Sequence, residues 1–234
     1  MGRRLSADGG DKLAVADRPR SRKGAQTRAR LVEAAKAVFE ADGFLEARIT
    51  DIAEGAGVSH GSFYHYFDSK EQVFREVADA LDDRMNAPLS DVILVESSHA
   101  GPRDRIREGN RQFFVSYQRD ARLISEVEQV SRYDDQLKAE RRTHLRAYGK
   151  QLAATIEEMQ AAGLVDRALN PELTSHAIGA MVTRFADLWL TQGIVDTSLD
   201  EAVDQLTRLV CNALQLPDEP VARRARAAGG GAGS

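Results

Sequence analysis

Apolar residues recur every three or four positions along most of the chain between about residue 26 and residue 215. This spacing places them on one face of an α-helix, whereas a half-buried strand would alternate at every second residue. The pattern predicts helices at about 26–42, 51–56, 60–66, 70–85, 134–162 and 199–215, and three more that begin near Pro102, near residue 121 and at Pro171. Because no alternating strand pattern occurs, we predict an all-α fold with about nine helices.

Glycine and hydroxyl side chains mark the ends of the first helices. Gly43 follows the first helix and suits a positive φ, which would let Phe44 fold back on Phe39. Thr50 and Ser59 are predicted N-caps of the next two helices, because their hydroxyls accept from unpaired backbone N–H groups. The sequence therefore predicts two short helices that follow a longer one.

A helix-turn-helix unit is the arrangement that these short helices favour. Ala53 and Ala56 are small enough for the two helices to cross closely, and Gly57 supplies a turn residue without a Cβ. The second helix presents a slim, polar outer face, which suits the major groove of DNA. The residues of this face are His60, Gly61, Ser62 and Tyr64. Residues 23–70 are therefore predicted to form a three-helix DNA-binding domain.

The segment Ile49–Glu71 resembles the signature of the TetR family of bacterial regulators. The likeness rests on three short runs at the family's usual spacings. These runs are Gly57-Val58-Ser59 in the turn, Tyr64-His65-Tyr66-Phe67 after it, and Ser69-Lys70-Glu71 at the next helix start. Over the rest of the chain the likeness lies only in length and helix count. The resemblance implies a dimer with an N-terminal DNA-binding domain and a C-terminal domain that senses a small molecule.

The resemblance also implies a role for each matched residue. The residues implied to bind DNA are Thr50 and Lys70 at phosphates, Ser59 at a helix N-terminus, His60, Gly61 and Ser62 at base edges, Tyr64 and His65 at the groove edge, and Tyr66 near the backbone. Of the two residues at the groove edge, Tyr64 is the better candidate for a phosphate contact. Phe63 and Phe67 are implied to be core residues.

Charge is distributed unevenly along the chain. Residues 1–30 carry nine Lys and Arg against three Asp, a charge of +6, although the whole chain has a charge of −4. We predict that residues 1–22, which are polar and aperiodic, form a disordered basic arm that meets a polyanion. On charge alone, a solvated tail without a partner is an equal alternative. Residues 24–70 have five Lys and Arg against seven Asp and Glu, so the arm is expected to add to DNA affinity.

Residues 71–216 are predicted to form a ligand-binding and dimerisation domain, and residues 217–234 a flexible tail. Aromatic and polar side chains of this domain are candidates for a pocket that takes a hydrophobic or amphipathic small molecule. The candidates are Phe113, Phe114, Tyr117, Glu126, Tyr133, His144, Tyr148, Met181, Phe185 and Trp189. Each of the apolar ones is, by itself, more typical of an ordinary core than of a pocket, and only the set indicates a pocket.

The last two helices keep apolar stripes, so two copies can pack them across a twofold axis. The predicted dimer residues are Ile178, Met181, Val182, Phe185, Trp189, Val203, Leu206 and Val210. Such a dimer reads a palindrome with its recognition helices about 34 Å apart. The resemblance implies the same interface and, by default, a repressor that leaves double-stranded operator DNA when its effector binds. An activator and a corepressor arrangement stay open as alternatives.

Other functional classes find little support in the sequence. The single cysteine, Cys211, forms no internal disulfide, and no apolar run is long enough to span a membrane, so a cytoplasmic protein is expected. No catalytic or phosphate-binding motif occurs, and the pair Glu140 and His144 is expected to be an ordinary polar contact. We therefore expect no enzyme activity, cofactor or metal. An architectural DNA-binding protein without an effector, and a helical carrier or enzyme with a docking head, stay open as alternatives.

Deletion of residues 1–22 is expected to reduce the salt dependence of DNA binding. Each phosphate that a cation neutralises adds about −0.9 to the slope of log affinity against log salt. Anisotropy titrations of the full and the shortened chain between about 50 and 200 mM salt measure the two slopes. An unchanged slope would remove the arm from the binding mechanism.

Overall fold

The structure, a computed structural model, describes residues 22–88 and 101–216. These residues form eight α-helices, one π-helical segment and the connections between them. The helices are α1 Arg22–Glu46, α2 Ile49–Gly55, α3 His60–Phe63, α4 Lys70–Pro88, α5 Pro102–Val130, α6 Asp135–Ala161, α7 Pro171–Ala186 and α8 Leu199–Ala213. The π-helical segment Asp187–Thr191 follows α7 directly. These ranges contain no strand, which confirms the all-α prediction. None of their helices has the length and apolarity needed to cross a bilayer.

The chain divides into two compact units, and the boundary lies inside α4, after Val77. We call the described residues 22–77 the head unit, and residues 78–88 together with 101–216 the body unit. The sequence analysis placed the boundary after residue 70, at the start of the same helix. The predicted arm, apart from Arg22, and the predicted tail lie outside the described residues.

Three phenylalanine rings hold the end of α1 against α4 in the head unit. The centroid of Phe74 lies 4.9 Å from that of Phe39 and 4.8 Å from that of Phe44. Gly43 has a φ of 76° and interrupts α1, and the chain then turns Phe44 back to within 5.9 Å of Phe39, as predicted. Aromatic pairs of this kind add about 0.5–1.5 kcal/mol each beyond the burial of their area. This cluster fixes the support on which the two short helices pack.

The first long helix of the body unit is continuous where the sequence analysis predicted two helices. Polar residues around Asp120 interrupt the apolar periodicity of α5, and this interruption gave the false break. In the structure Asp120 is fully buried, and its Oδ2 lies 2.9 Å from Nη2 of Arg119 and 3.6 Å from Nε of Arg84 on α4. The carboxylate is thus paired inside the protein, and α5 continues past it to Val130.

Helix α8 packs its apolar stripe against α5 inside the body unit. Val203, Leu206 and Val210 are 0, 2 and 4% exposed, and the side chain of Asn110 on α5 donates to Thr207 Oγ1 at 3.1 Å. The assignment of these three apolar residues to a dimer surface is therefore wrong, because their own chain already covers them. The periodicity identified the buried face of α8 but not what covers it.

The second half of α4 is joined to α6 by charged side chains. His144 Nδ1 lies 3.5 Å from Asp82 Oδ2 and 3.8 Å from Asp79 Oδ1, and Arg141 Nε lies 3.8 Å from Asp82 Oδ2. Burial raises the pKa of both Asp79 and Asp82, and neighbouring carboxylates raise the pKa of Asp79 further, against an opposing effect of His144. Holding the Asp79 carboxylate ionised in this place therefore costs folding free energy at neutral pH.

We expect Asp79→Asn to raise Tm near neutral pH and to lose this advantage as the pH falls. The pKa of Asp79 is raised in the folded state, so its unfavourable contribution is present above that pKa and disappears once both states are protonated. Because the side chain is 45% exposed, solvent screening limits the gain to a fraction of 1 kcal/mol, or about 1 °C. Thermal melts across a pH series, with exposed Asp196→Asn as the matched control, measure it. A larger gain in acid than at neutral pH contradicts the assignment.

Candidate nucleic-acid interface

The turn between α2 and α3 is built as the sequence predicts. Gly57 has a φ of 64°, a conformation that strains any residue with a Cβ. Its N–H donates to Glu54 O at 2.9 Å, and Val58 N–H donates to Ala53 O at 3.0 Å. These two bonds close the end of α2 and direct the chain into α3.

The two predicted helix caps have opposite outcomes. Ser59 precedes α3, and its Oγ accepts from Ser62 N–H at 3.2 Å, which confirms the cap. Thr50 is not a cap, because α2 starts one residue earlier, at Ile49, and its first turn closes on the carbonyl of Arg48. Thr50 is exposed in that first turn, and its Oγ1 lies 3.2 Å from Asp51 Oδ1. Its hydroxyl thus remains at the surface near the start of α2.

Buried phenylalanines orient the recognition segment. The α-helical part of α3 covers only His60–Phe63, and residues 64–66 continue as hydrogen-bonded turns rather than as the helix predicted to residue 66. Phe63 and Phe67 are 0 and 1% exposed, and their ring centroids are 5.6 Å apart. Both rings are core, as the resemblance implies. They leave the opposite face of the segment directed to solvent.

That opposite face is polar and exposed. His60, Gly61, Tyr64 and His65 are exposed, and Tyr64 is 48% accessible. The His60 and Tyr64 rings meet edge to face with their centroids 5.3 Å apart. A Cβ built on Gly61 meets no atom within 4 Å, so nothing in the protein requires a glycine there. The missing side chain instead lets another molecule approach the backbone closely.

Ser62, Tyr66 and Lys70 are more engaged within the protein than the sequence analysis assumed. Ser62 Oγ lies 2.8 Å from Ser59 Oγ, and the partly buried Tyr66 offers its carbonyl to Arg28. Lys70 Nζ donates to three backbone oxygens at 2.6, 3.1 and 3.0 Å. An ammonium group has only three donors, so the implied phosphate contact of Lys70 finds no support in this geometry.

Comparison with known families agrees with this geometry. Residues 31–77 match the family described as bacterial regulatory proteins, tetR family. The match runs from α1 to α4 and contains the whole of α2, the turn and α3. The head of this chain is a TetR-family domain. It belongs to the helix-turn-helix class of DNA-binding domains.

The chain is similar to known regulators in the head alone or over most of its length. It is 24% identical to the HTH-type transcriptional regulator YdgC of Bacillus subtilis over 174 residues, 74% of this chain and 86% of YdgC. It is 30% identical to the HTH-type transcriptional repressor KstR2 of Mycobacterium tuberculosis over 125 residues, 49% of this chain and 61% of KstR2. The fold is also that of the regulator FadR from Bacillus subtilis, in its crystal structure with stearoyl-CoA. The TM-score is 0.65 and the sequence identity 18%, and the superposition covers 79% of this chain and 98% of FadR.

The body unit of this chain contains an apolar cavity of about 90 Å³. Side chains from α4 to α8 line it. They are Met85, Pro102, Arg105, Ile106, Gly109, Asn110, Phe113, Tyr148, Leu152, Thr155, Ile156, Met159, Ile178, Gly179, Val182, Thr183, Val210 and Leu214. Burial raises the pKa of the Tyr148 phenol, so this group is a neutral hydrogen-bond donor across the physiological range.

Only Phe113 and Tyr148 of the ten pocket candidates line this cavity. Four other aromatic candidates pack together beside Phe113. Phe114 lies 5.7 Å from Trp189 and 6.0 Å from Phe185 between ring centroids, and Tyr117 is 2% exposed. Met181 packs against the apolar core, Tyr133 is 61% exposed, and His144 faces Asp79 and Asp82. Glu126 is partly buried elsewhere on α5.

Most residues that line the cavity could not be told from core residues in the sequence. Leu152, Ile156 and Met159, for example, have the same helical spacing as the residues of an ordinary core.

We expect Gly61→Ala to weaken DNA binding without lowering the stability of the head. The methyl group meets nothing in the protein, and alanine in a helix is favoured over glycine by about 0.5–1 kcal/mol. On the exposed face, however, it holds the backbone away from DNA, and we expect roughly a tenfold loss of affinity, or about 1.4 kcal/mol.

Anisotropy titration and a thermal melt on the same preparation test this expectation. Tyr64→Ala is the companion variant, since it removes an exposed side chain of the same face and is also expected to weaken binding while the protein stays folded. Full affinity in both variants would place the DNA contact on another surface.

Proposed function

We propose that this chain is a homodimeric repressor that leaves a palindromic operator when a hydrophobic or amphipathic small molecule binds its body unit. One observation carries the proposal: the same chain has an exposed, polar recognition face on the head and an apolar cavity in the body. The repressor KstR2, which the chain resembles over half its length, supports repression as the default direction.

The DNA contacts that we propose come mainly from uncharged groups. His60, Gly61 and Ser62 face base edges, and the Tyr64 hydroxyl and Thr50 hydroxyl donate to phosphates. His65 lies at the groove edge and Tyr66 near the backbone. We leave Lys70 out of this set because three backbone carbonyls already accept from it.

The dimer that we propose uses the outward faces of α7 and α8. Leu173 on α7 is 70% exposed and Leu209 on α8 is 51% exposed, so both helices keep large apolar side chains that their own chain does not cover. Val203, Leu206 and Val210 are excluded from this surface since they are buried in the body core. Two heads on a twofold axis double the number of base contacts, which one recognition helix of four residues needs.

The chemistry of the cavity supports an apolar ligand that is neutral or anionic. No Asp or Glu occurs among the described residues that line it, whereas Arg105 does. A cationic ligand would therefore lose its hydration without gaining a carboxylate partner. The Tyr148 hydroxyl offers a donor for an oxygen of the ligand. The crystal structure of FadR from Bacillus subtilis contains stearoyl-CoA, an amphipathic molecule with an anionic end, and this supports the same ligand class.

Helix α4 is the proposed route from ligand to DNA. Its first residues, to Val77, belong to the head unit, and its later residue Met85 lines the cavity of the body unit. A ligand that fits better after Met85 has moved will favour a different position of α4. The change in operator affinity is limited by the ligand's difference in affinity for the two states.

Selection of duplexes from random DNA by the purified chain tests the DNA part, and an inverted repeat is the expected product. A thermal-shift screen with fatty acids, acyl thioesters, neutral aromatics and quaternary amines tests the ligand part. We expect compounds from the first three classes to raise Tm and to release the selected duplex. An inverted repeat with no ligand in any class would point to a DNA-binding protein without an effector.

Filling the cavity is expected to separate DNA binding from ligand response. A Cβ built on Gly179 meets no atom within 4 Å, and this residue lines the cavity, so Gly179→Leu places a side chain in the ligand's space. We expect operator affinity to stay within roughly twofold of the parent, a change of under 1 kcal/mol, and ligand-induced release to be lost. Titration of the operator complex with a ligand found in the screen measures the effect.

Ala139→Leu is the matched control for this variant, because it places the same leucine side chain at an exposed position of α6. It is expected to keep the ligand response. A normal response in Gly179→Leu would place the effector elsewhere in the molecule.

A further inference from the structure

Two cationic side chains of the head unit point inward onto backbone carbonyls. The first is Lys70, whose ammonium lies within 2.6–3.1 Å of the carbonyl oxygens of Phe44, Leu45 and Ala47. These carbonyls belong to the end of α1 and the start of the link to α2, where the partial negative charge of a helix terminus favours a cation. The Phe44 ring, with its centroid 4.7 Å from Nζ, covers another side of the ammonium.

The second is Arg28 on α1, which reaches the other end of the helix-turn-helix. Its Nη1 donates to the carbonyl of Tyr66 at 2.8 Å. Its Nε lies 3.2 Å from Glu76 Oε1 and its Nη2 pairs with Oε2, so the contact with the carboxylate is bidentate. The guanidinium carbon lies 4.4 Å from the centroid of Phe67. One planar group thus joins α1, the end of the recognition segment and α4.

We propose that Lys70 and Arg28 are positioning residues for DNA recognition: Lys70 fixes the entry to the helix-turn-helix, Arg28 fixes its exit, and neither cation contacts phosphate. The inference rests on the proposed function, because it concerns how α3 meets DNA. Both α2 and α3 lie between Ala47 and Tyr66, so the two contacts bracket the pair. A recognition helix of one turn needs such support, because a specific contact requires each side chain to be held within about 0.5 Å of the position from which it binds.

The charge of the head is consistent with this assignment. Its segment 24–70 contains five Lys and Arg, which are Arg28, Arg30, Lys36, Arg48 and Lys70. Lys36 pairs with Glu40 at 3.1 Å, so three of the five cations are engaged inside the head, while Arg30 and Arg48 are exposed. Residues 24–70 therefore release few counterions when the head binds DNA, and their cations serve mainly to hold the shape of the head.

The first test needs no DNA. The purified full chain is treated with a limiting amount of an acetylating reagent, and the rate at each lysine is read by mass spectrometry. Exposed Lys23 on α1 is the internal reference. We expect Lys70 to react at least roughly tenfold more slowly, because its ammonium must leave three acceptors before it loses a proton. Equal rates at the two lysines would overturn the assignment of Lys70.

The second test uses duplexes that the parent chain selects from random DNA. We expect Lys70→Gln and Arg28→Gln each to weaken binding roughly tenfold at a temperature where circular dichroism shows full helix content. The slope of log affinity against log salt is expected to stay equal to that of the parent, whereas loss of a phosphate contact would lower it by about one. Exposed Arg48→Gln is the matched control, since it removes one charge from the head surface and no internal carbonyl contact.

Each outcome of the second test decides the inference. A lower slope in Lys70→Gln or Arg28→Gln, or an unchanged affinity, overturns it. Where a glutamine variant loses helix content, Lys70→Arg or Arg28→Lys replaces it, because each keeps the charge but not the geometry and is expected to bind more weakly at the parent slope. Parent affinity in these conservative variants also overturns the inference.

Failure of the proposed function gives a different result, because the parent chain then selects no duplex. The acetylation rates still decide the position of Lys70 in that case.

Discussion

The recognition segment depends on the core beneath it, because it is too short to form alone. Its α-helix covers four residues, His60–Phe63, whereas isolated helices shorter than about 12–15 residues are marginal in water. The hydrogen bonds of one turn do not stabilise the segment by themselves. Phe63 and Phe67 add the missing stability, because both rings are buried in the head core. Burial of these rings also fixes the orientation of the segment, so His60 and Tyr64 are exposed to solvent. The surface that we propose to read DNA is thus a consequence of packing more than of helix propensity.

The sequence predicts features of the head that depend on neighbouring residues and misses those that depend on distant ones. Gly57 and Ser59 were assigned correctly, because a positive φ and an N-cap are settled within three or four residues. The acceptors of Lys70 lie 23 to 26 residues before it, and the carbonyl that accepts from Arg28 lies 38 residues after it. No local pattern contains such a pair, so a cation in a DNA-binding motif was naturally assigned to phosphate.

In the body unit the periodicity predicts which face of a helix is buried but not what buries it. Val203, Leu206 and Val210 form the inner stripe of α8, and the sequence does not distinguish a stripe covered by α5 from one covered by a second copy. The cavity raises the same difficulty, because Leu152 and Ile156 have the spacing of core residues and line a space only where the facing helices leave one. Asp120 shows the opposite error, in which a buried residue is taken for an exposed one. Its ion-pair partner Arg84 is distant in sequence, so the local sequence shows only a polar residue that interrupts the apolar spacing and resembles a helix end.

The two ends of α4 are held by contacts of different kinds, and this difference bears on where the helix can move. In the head, Phe74 packs on two rings at 4.8 and 4.9 Å, contacts that salt does not weaken. In the body, Leu81 is buried, and Asp82 and Arg84 add ion pairs at 3.5 to 3.8 Å, of which the pair of Arg84 with the fully buried Asp120 is costly to break. The effector mechanism proposed above therefore requires a ligand that shifts α4 while these pairs are kept or exchanged for others. In that proposal a displaced α4 would move together with the recognition segment, because the rings that hold the head end of α4 also hold α1.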